Sequence, residues 1–227
     1  MAKEKTAYTE DAIKTLDALA HIRLRTGMYI GRIGDGSNPN DGVYVLLKEI
    51  VDNAIDEFIM GAGKKVEITR DENTVCIRDF GRGIPLGKVV DCVSQINTGG
   101  KYNDDVFQFS VGLNGVGTKA VNALSQRFEV ISFREGKFKR ALFNQGKLVD
   151  EEDGRNKDQP DGTYVEFTPD PEIFTKYQWK DEFIHRRLQY YCYLNAGLTI
   201  SYNGETFVSK EGLKDLLSHE LGEEHRH

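Results

Sequence analysis

The sequence lacks the features that mark secreted, membrane-spanning or nucleic-acid-coating proteins. Its three cysteines, Cys76, Cys92 and Cys192, are far apart and form no C-x-x-C pair, which argues against a disulfide framework and a zinc site. No stretch approaches the roughly 18 apolar residues that span a bilayer, and the first residues have no apolar signal core. With 30 basic and 36 acidic residues, the formal charge is −6. This charge disfavours a protein that binds the nucleic-acid backbone over its whole surface. We therefore expect a protein of the reducing cytoplasm.

The length and composition suit one folded domain. The chain has 227 residues, of which 39% are hydrophobic and 10% aromatic, enough to bury a core. Residues 1–12 are polar and predict an N-terminal arm, and residues 13–227 predict a single domain. Because the predicted helices and strands do not alternate regularly, we expect an α+β fold, with helices on one face of a mixed, mostly antiparallel sheet.

Glycine positions and hydrophobic periodicity predict the order of the elements. A first helix should begin near Ile13 and stop at Gly27. Further helices are predicted at 43–60, 86–96, 116–125, 179–194 and 211–217. Strands are predicted at 65–70, 74–79, 127–134, 137–143, 163–168, 198–202 and 205–208. Residues 150–161 should be a surface loop, and the length of the polar segment 97–114 favours a functional loop.

The predicted helix 43–60 has an apolar face and an acidic stripe. Its core side is formed by Leu47, Val51, Ala54, Ile55 and Phe58. Glu49, Asn53 and Asp56 lie within roughly 60° of one another on another side, because spacings of four and three return to one line. The stripe is either the solvated face of an ordinary amphipathic helix or a surface that contacts one ligand. A bound cation would relieve the repulsion among its like charges.

Asp79 is predicted on the core side of the strand 74–79, because it follows Val75 and Ile77 at alternating positions. A buried carboxylate is costly unless it accepts hydrogen bonds. The donor is either the turn formed by Gly81 and Gly83 or a ligand such as the exocyclic amine of adenine.

The glycine-rich segment 112–118 leads straight into a predicted helix. Backbone amides at a helix start suit phosphate binding. The order Gly117-Thr118-Lys119 is the reverse of a Walker A loop. As an alternative, Gly115-x-Gly117-x-x-Ala120, with Glu135 about 20 residues on, fits the relaxed dinucleotide fingerprint and would predict a nicotinamide oxidoreductase.

Three motifs, taken in order, resemble the N, G1 and G2 boxes of the GHKL ATPases. They are Glu49-x-x-x-Asn53, Asp79-x-Gly81-x-Gly83 and Gly112-x-Asn114-Gly115-x-Gly117. Within that group, residues 25–31, 51–57, 97–101 and 121–125 resemble the ATPase subunits of bacterial type IIA topoisomerases, gyrase B and topoisomerase IV B. The resemblance runs from about Tyr8 to about Val208, and three ordered boxes are far more specific than one.

The resemblance implies a Bergerat-type sandwich that binds Mg-ATP under a movable lid at 97–117. Hydrolysis would drive closure of an N-terminal gate during DNA strand passage. Glu49 would be the general base, Asn53 would hold Mg²⁺, and Asp79 would accept from adenine. The implied ATP-binding residues are Tyr8, Asn53, Asp56, Asp79, Arg82, Gly83, Ile84, Pro85, Lys101, Gly112, Leu113, Asn114, Gly115, Val116, Gly117, Thr118 and Thr163.

The resemblance also assigns finer roles. Thr163 would assist Asp79 through water, Ile84 and Pro85 would line the base pocket, and Arg82 would pack over the adenine. Lys101 and the amides of residues 114–118 would surround the phosphates. Tyr8 would reach the site of a second copy when two chains close on ATP.

The remaining implied partners are the cleavage subunit and DNA, both through domains outside this sequence, and inhibitors of the ATP site. The transducer domain, which supplies a lysine to the terminal phosphate, is also outside it. We therefore expect a first-domain fragment with weak hydrolysis and mainly monomeric behaviour. A chaperone-like binding module without hydrolysis is a further alternative.

The chain departs from the family pattern at four positions. Phe80 stands where a second aspartate is common, Asn114 replaces a histidine, Phe107 replaces a lid tyrosine, and Thr26 replaces a proline. These departures affect the side chains of the lid and the rim of the pocket, and hence the preference for inhibitors.

Overall fold

The computed structural model describes residues 16–98 and 115–224. The predicted arm 1–12 and most of the predicted loop 97–114 lie outside these residues. Within the described ranges the chain forms seven α-helices and eight strands. The helices are α1 Ala18–Leu24, α2 Gly27–Ile30, α3 Gly42–Ile59, α4 Val89–Ser94, α5 Gly117–Ala123, α6 Asp181–Leu194 and α7 Leu213–Glu224. The strands are β1 Lys65–Asp71, β2 Thr74–Asp79, β3 Ser125–Arg134, β4 Lys137–Asn144, β5 Lys147–Arg155, β6 Gly162–Pro169, β7 Thr199–Tyr202 and β8 Glu205–Val208.

The described strands form one sheet in the order β5-β4-β3-β6-β2-β1-β7-β8. β1 and β7 pair in parallel, and the other neighbouring strands pair antiparallel. The β1–β2 hairpin turns at residues 72–73 and the β7–β8 hairpin at Asn203-Gly204, as predicted. The expectation of a mixed, mostly antiparallel α+β sheet is confirmed.

The two faces of the sheet differ in character. One face is apolar and joins the helices in a single core. Its buried side chains include Val66, Ile68, Val75, Ile77, Phe128, Val130, Ala141, Phe143, Val165, Phe167, Ile200 and Tyr202. The opposite face, here called the outer face, carries charged side chains. On it Arg127 binds Glu166 at 2.9 Å, and Arg140 contacts both Glu129 and Asp150.

The prediction of a surface loop at 150–161 is wrong for its first half. Residues 147–155 form β5, which pairs with β4 along one side and is the edge of the sheet. Nearly every side chain of β5 is exposed. An edge strand with exposed side chains on both faces shows no apolar alternation, so its acidic sequence resembles a loop.

The first predicted helix is two helices. α1 begins at Ala18, where Asp17 Oδ1 accepts a hydrogen bond from the amide of Ala20 at 2.9 Å. The Thr26 hydroxyl donates to the carbonyl of Arg23 at 2.9 Å, and Arg25, with φ −121° and ψ 43°, interrupts the helix before α2. Similarly, the predicted helix 86–96 consists of a 3₁₀ turn at residues 86–88 followed by α4.

α3 packs against β2 and β6 of the sheet and against α2 and α5, and it ends where Gly61 adopts a φ of +79°. Within the stripe, Asp56 is buried and Glu49 and Asn53 are partly buried, so the interpretation of the stripe as a solvated face is wrong. Asp52 and Asp56 are 2% and 1% exposed. Asp52 accepts from Lys48 Nζ at 2.5 Å and from the hydroxyl of Tyr191 on α6. α3 is therefore a central element, buried on several sides.

The three cysteines are free thiols. In the part of the chain that the structure describes, no helix has the length and apolarity needed to cross a membrane.

Candidate active site

α3 meets the start of α5 through two residues that sequence analysis singled out. Asn53 Nδ2 donates to the carbonyl of Glu49 at 2.8 Å and to Thr118 Oγ1 at 2.9 Å. The Glu49 carboxylate lies against Gly117, where an added Cβ atom would be 1.9 Å from Glu49 Oε2. A side chain at position 117 would therefore require the end of the Glu49 side chain to shift. The carboxylate and the first amides of α5 therefore face one small region.

The same helix holds the turn after β2. Glu57 Oε2 accepts from the backbone amide of Arg82 at 2.8 Å and from its Nε at 3.0 Å, and Oε1 accepts from Nη2 at 2.9 Å. This bidentate pair raises the pKa of Arg82. Gly81 packs against the Glu57 side chain, where a Cβ atom would meet Glu57 Cβ at 2.7 Å.

Sequence analysis missed Glu57 as a site residue. The available signal was its position one turn after Asn53, but its partner Arg82 is 25 residues away in the chain. Helical spacing alone does not reveal such a pairing.

Asp79 is buried at the end of β2, with 8% of its surface exposed. Its Oδ1 accepts from the amide of Gly81 at 2.9 Å and from the amide of Thr163, at the start of β6, at 3.1 Å. Burial raises the pKa of Asp79 to about 6, and these two hydrogen bonds oppose that rise. The prediction that a buried Asp79 accepts hydrogen bonds, including one from its own turn, is confirmed.

The turn after β2 is also tied to the end of β3. Gly83 has a φ of +71°, and a Cβ atom there would lie 2.6 Å from the carbonyl of Phe133. Ser132 Oγ donates to the carbonyl of Ile84 at 2.7 Å. Ile84 is partly buried against the core, whereas Pro85 is exposed.

The structure thus places several of the described candidate residues on α3 or against it. Glu49 and Asn53 contact the start of α5. Asp56, on the same helix, is buried. Gly115, with a φ of +59°, and Val116 lead into α5. The candidates Tyr8, Lys101, Gly112, Leu113 and Asn114 lie outside the described residues, as does Phe107.

Residues 38–173 match the family described as histidine kinase-, DNA gyrase B- and HSP90-like ATPases. The chain belongs to this ATPase family. The match includes α3, the turn after β2, the start of α5 and Thr163, which are the elements that form the grouping described above.

Individual relatives agree with the family assignment. The chain is 61% identical over 214 residues to the B subunit of DNA topoisomerase 4 from Borreliella burgdorferi, covering 94% of this chain and 36% of that protein. It is 36% identical to the B subunit of DNA gyrase from Mycolicibacterium smegmatis, covering 92% of this chain and 31% of that one. The chain therefore spans about a third of the length of these relatives.

A solved structure agrees as well. The 43K ATPase domain of Thermus thermophilus gyrase B, crystallised with an aminocoumarin, superposes with a TM-score of 0.72 at 31% identity. The match covers 88% of this chain and 54% of that chain. The Bergerat-type fold expected from the resemblance is confirmed.

The fold does not support the dinucleotide alternative. That fingerprint belongs to a helix between parallel strands. Here the strand after α5 is β3, and both of its neighbours, β4 and β6, run antiparallel to it. The glycines at positions 115 and 117 therefore do not belong to a dinucleotide-binding fold.

Proposed function

We propose that this chain is the ATP-binding and ATP-hydrolysing part of a type II DNA topoisomerase. Membership of the ATPase family and the similarity to the B subunits of topoisomerase 4 and gyrase support this proposal. The observation that carries it is the contact between α3 and α5, which aims a carboxylate and a carboxamide at the same helix start. Helix starts of this kind bind phosphate groups.

Glu49 is the proposed general base. Its carboxylate lies beside Gly117, and Lys48 Nζ is 3.6 Å from its Oε1. As a water oxygen attacks the terminal phosphorus, Glu49 takes the water proton, and the bond to the bridging oxygen breaks to release ADP. Such a base contributes about 10²–10⁴ in rate. The amides at the start of α5, including those of Gly117 and Thr118, stabilise the negative charge on the phosphate oxygens.

Asn53 is the proposed protein ligand of Mg²⁺. Its hydrogen bonds to the Glu49 carbonyl and to Thr118 both use the amide nitrogen. These bonds set the orientation of the carboxamide, and Oδ1 is the atom that would bind Mg²⁺. Mg²⁺ prefers oxygen ligands and is commonly held by one or two side chains together with substrate phosphates. Within the described ranges, no group of three or more His, Cys, Asp or Glu side chains is arranged to hold a metal. The ion would neutralise charge on the phosphate oxygens.

Asp79 is the proposed adenine contact. Both protein hydrogen bonds reach Oδ1, so Oδ2 is the oxygen that would accept from the exocyclic amine. Thr163 would assist through water, Ile84 and Pro85 would line the base pocket, and Arg82 would pack over it.

The larger assembly belongs to the same proposal. Closure of the 97–117 segment, with Lys101 near the phosphates, would accompany dimerisation with a second copy. Tyr8 would reach the partner's site, and the domain would consist of residues 13–227. The cleavage subunit and DNA would act through other domains, ATP-site inhibitors would compete for the pocket, and the cytoplasmic location stays a prediction.

Glu49→Gln tests the proposal. We expect binding of a non-hydrolysable ATP analogue to persist within about threefold and phosphate release to fall by about 10² or more. Glu152→Gln, on the exposed edge strand β5, is the matched control and should change neither. If Glu49→Gln still hydrolyses ATP at the unsubstituted rate, Glu49 is not the general base. Binding without hydrolysis in the unsubstituted chain would favour a non-hydrolysing module.

A further inference from the structure

The outer face of the sheet carries an arginine between two aromatic rings, directly behind Asp79. The Cζ atom of Arg78 lies 4.7 Å from the ring centroid of Phe80 and 4.8 Å from that of Phe133. Only 9% of the Arg78 surface is exposed. Phe80 is one of the positions where the chain departs from the family pattern. We call Arg78, Phe80 and Phe133 the arginine clamp.

The guanidinium joins two segments of backbone. It donates to the carbonyl of Asp79, to that of Pro160 at 2.5 Å and to that of Asp161 at 3.5 Å. These last two carbonyls immediately precede Gly162 and the start of β6. The approach is close, because a Cβ atom on Gly162 would lie 2.4 Å from Arg78 Nη1.

These bonds continue a strand pairing beyond the point where it ends. The ladder between β2 and β6 runs from Val75–Phe167 to Arg78–Tyr164. Asp79 and Thr163 are the next residues on the two strands. Their relative position is therefore held by the Asp79–Thr163 hydrogen bond, at 3.1 Å, and by the arginine clamp behind it.

The arginine clamp holds the backbone at a cost in solvation free energy. Burying a guanidinium costs solvation, and the three groups that accept its hydrogen bonds are carbonyls. The faces of two aromatic rings and the three carbonyls offset that cost. A Phe or Leu at position 78 could fill the space between the rings, but it could not tie the end of β2 to the residues before β6.

We infer that Arg78 is a positioning residue that determines selectivity for adenine over other purines. Its side chain projects to the outer face, opposite to the side chain of Asp79, and would not touch the nucleotide. It acts through Asp79 and Thr163, whose separation decides whether an exocyclic amine and the adjacent ring nitrogen are recognised together. The inference rests on the proposed ATP binding.

Arg78→Gln in the full 227-residue chain tests this role. The probes are non-hydrolysable ATP and GTP analogues, measured by calorimetry, together with KM and kcat for ATP hydrolysis. We expect Kd for the ATP analogue and KM for ATP to rise about tenfold, and the ratio of GTP-analogue to ATP-analogue Kd to fall about tenfold. The value of kcat should stay within about threefold, because the base and the helix start are untouched.

Two further variants and a control separate positioning from folding. Arg78→Lys keeps a cation between the rings and should restore about half of the lost selectivity on a logarithmic scale. Phe133→Leu opens one side of the clamp and should lower selectivity in the same direction. Arg127→Gln removes another arginine of the outer face and should leave the ratio unchanged.

Each outcome decides the question. A lower melting temperature in Arg78→Gln with an unchanged Kd ratio means a merely structural arginine, and it overturns the inference. If Arg78→Gln does not fold, unchanged ratios in both Arg78→Lys and Phe133→Leu overturn it instead. If the unsubstituted chain binds no ATP analogue, the proposed function and this inference fail together. If the unsubstituted chain binds the ATP analogue and the variants keep its ratio of GTP-analogue to ATP-analogue Kd, this inference fails and the proposed function stands.

Discussion

Asn53 Nδ2 and Thr118 Oγ1 lie 2.9 Å apart and form a hydrogen bond between α3 and the first turn of α5. The two residues are separated by 65 positions in the chain. This bond joins the segment that carries the proposed base to the segment that carries the proposed phosphate-binding amides. Its strength therefore bears on both the stability of the domain and the geometry of hydrolysis.

A double-mutant cycle measures that bond. We expect Asn53→Ala and Thr118→Val to show a coupling of about 1 kcal/mol in the free energy of unfolding, the usual net value of one hydrogen bond. Urea denaturation of the four proteins provides the measurement. Thr118→Ser keeps the hydroxyl and should leave the coupling intact. Additive effects of the two substitutions would mean that the bond contributes nothing.

Gly117→Ala tests the position of the Glu49 carboxylate. The added methyl would lie 1.9 Å from Glu49 Oε2, so the carboxylate must move away from the helix start. We expect phosphate release to fall by about 10²-fold, since misplacing a catalytic group by about 1 Å has that cost. Gly87→Ala is the control, because a Cβ atom there meets nothing within 4 Å. Full activity in Gly117→Ala would show that Glu49 is not confined against α5.

The parts of this fold that the sequence predicts well are those where the local pattern and the burial agree. The predicted bounds of α3 are right to within a residue or so, because its apolar face repeats regularly and Gly61 ends it. The position of Asp79 on the core face follows from the alternation of side-chain direction along β2, which it shares with Val75 and Ile77, although Arg78 on the other face is buried as well. In both cases the neighbours along the chain determine the environment.

The parts that could not be predicted depend on contacts between distant segments. A helical wheel places Asp52 among charges, but only the packing of α6 brings the Tyr191 hydroxyl to it. The strand β5 exists because β4 offers a free edge, and its own side chains contribute no apolar signal. Likewise, nothing near Arg78 in the sequence indicates that Phe133 covers it.

Tyr191→Phe tests the buried partner of Asp52. Asp52 is 2% exposed and accepts from Lys48 and from the Tyr191 hydroxyl. Burial and the neighbouring carboxylate raise the pKa of Tyr191, so the hydroxyl is a donor at neutral pH. Its loss leaves a buried carboxylate with one partner fewer and should reduce the free energy of unfolding by about 1–3 kcal/mol.

The adjacent tyrosine supplies a matched control for that substitution. Tyr190 donates to Glu220 in an exposed position at 2.9 Å. Tyr190→Phe should therefore change the free energy of unfolding by about 0.5 kcal/mol or less. Equal effects of the two substitutions in urea denaturation would contradict the distinction between the buried and the exposed acceptor.

Asp79→Asn tests, in the absence of nucleotide, the raised pKa of the carboxyl that we propose as the adenine contact. Burial raises this pKa from 3.8 to about 6, so between these values the folded protein binds more protons than the unfolded chain. The free energy of unfolding should therefore increase as the pH falls from 7 towards 4, by at most roughly 1.4 kcal/mol per pH unit from this group. The asparagine variant should lack that contribution, so its stability relative to the unsubstituted chain should decline over the same range.

The control for this titration is Asp153→Asn, on the exposed strand β5. That variant should follow the unsubstituted chain across the whole pH range, because the Asp153 side chain is 80% exposed and its ion pair with Lys139 is long, at 4.0 Å. Parallel stability curves for Asp79→Asn and the unsubstituted chain would mean that Asp79 titrates near its ordinary value. In that case the carboxyl would be ionised well below pH 6. Adenine recognition would then lose the dependence on proton concentration that a raised pKa imposes, since the ionised carboxylate is a stronger acceptor for the exocyclic amine than the protonated carboxyl group.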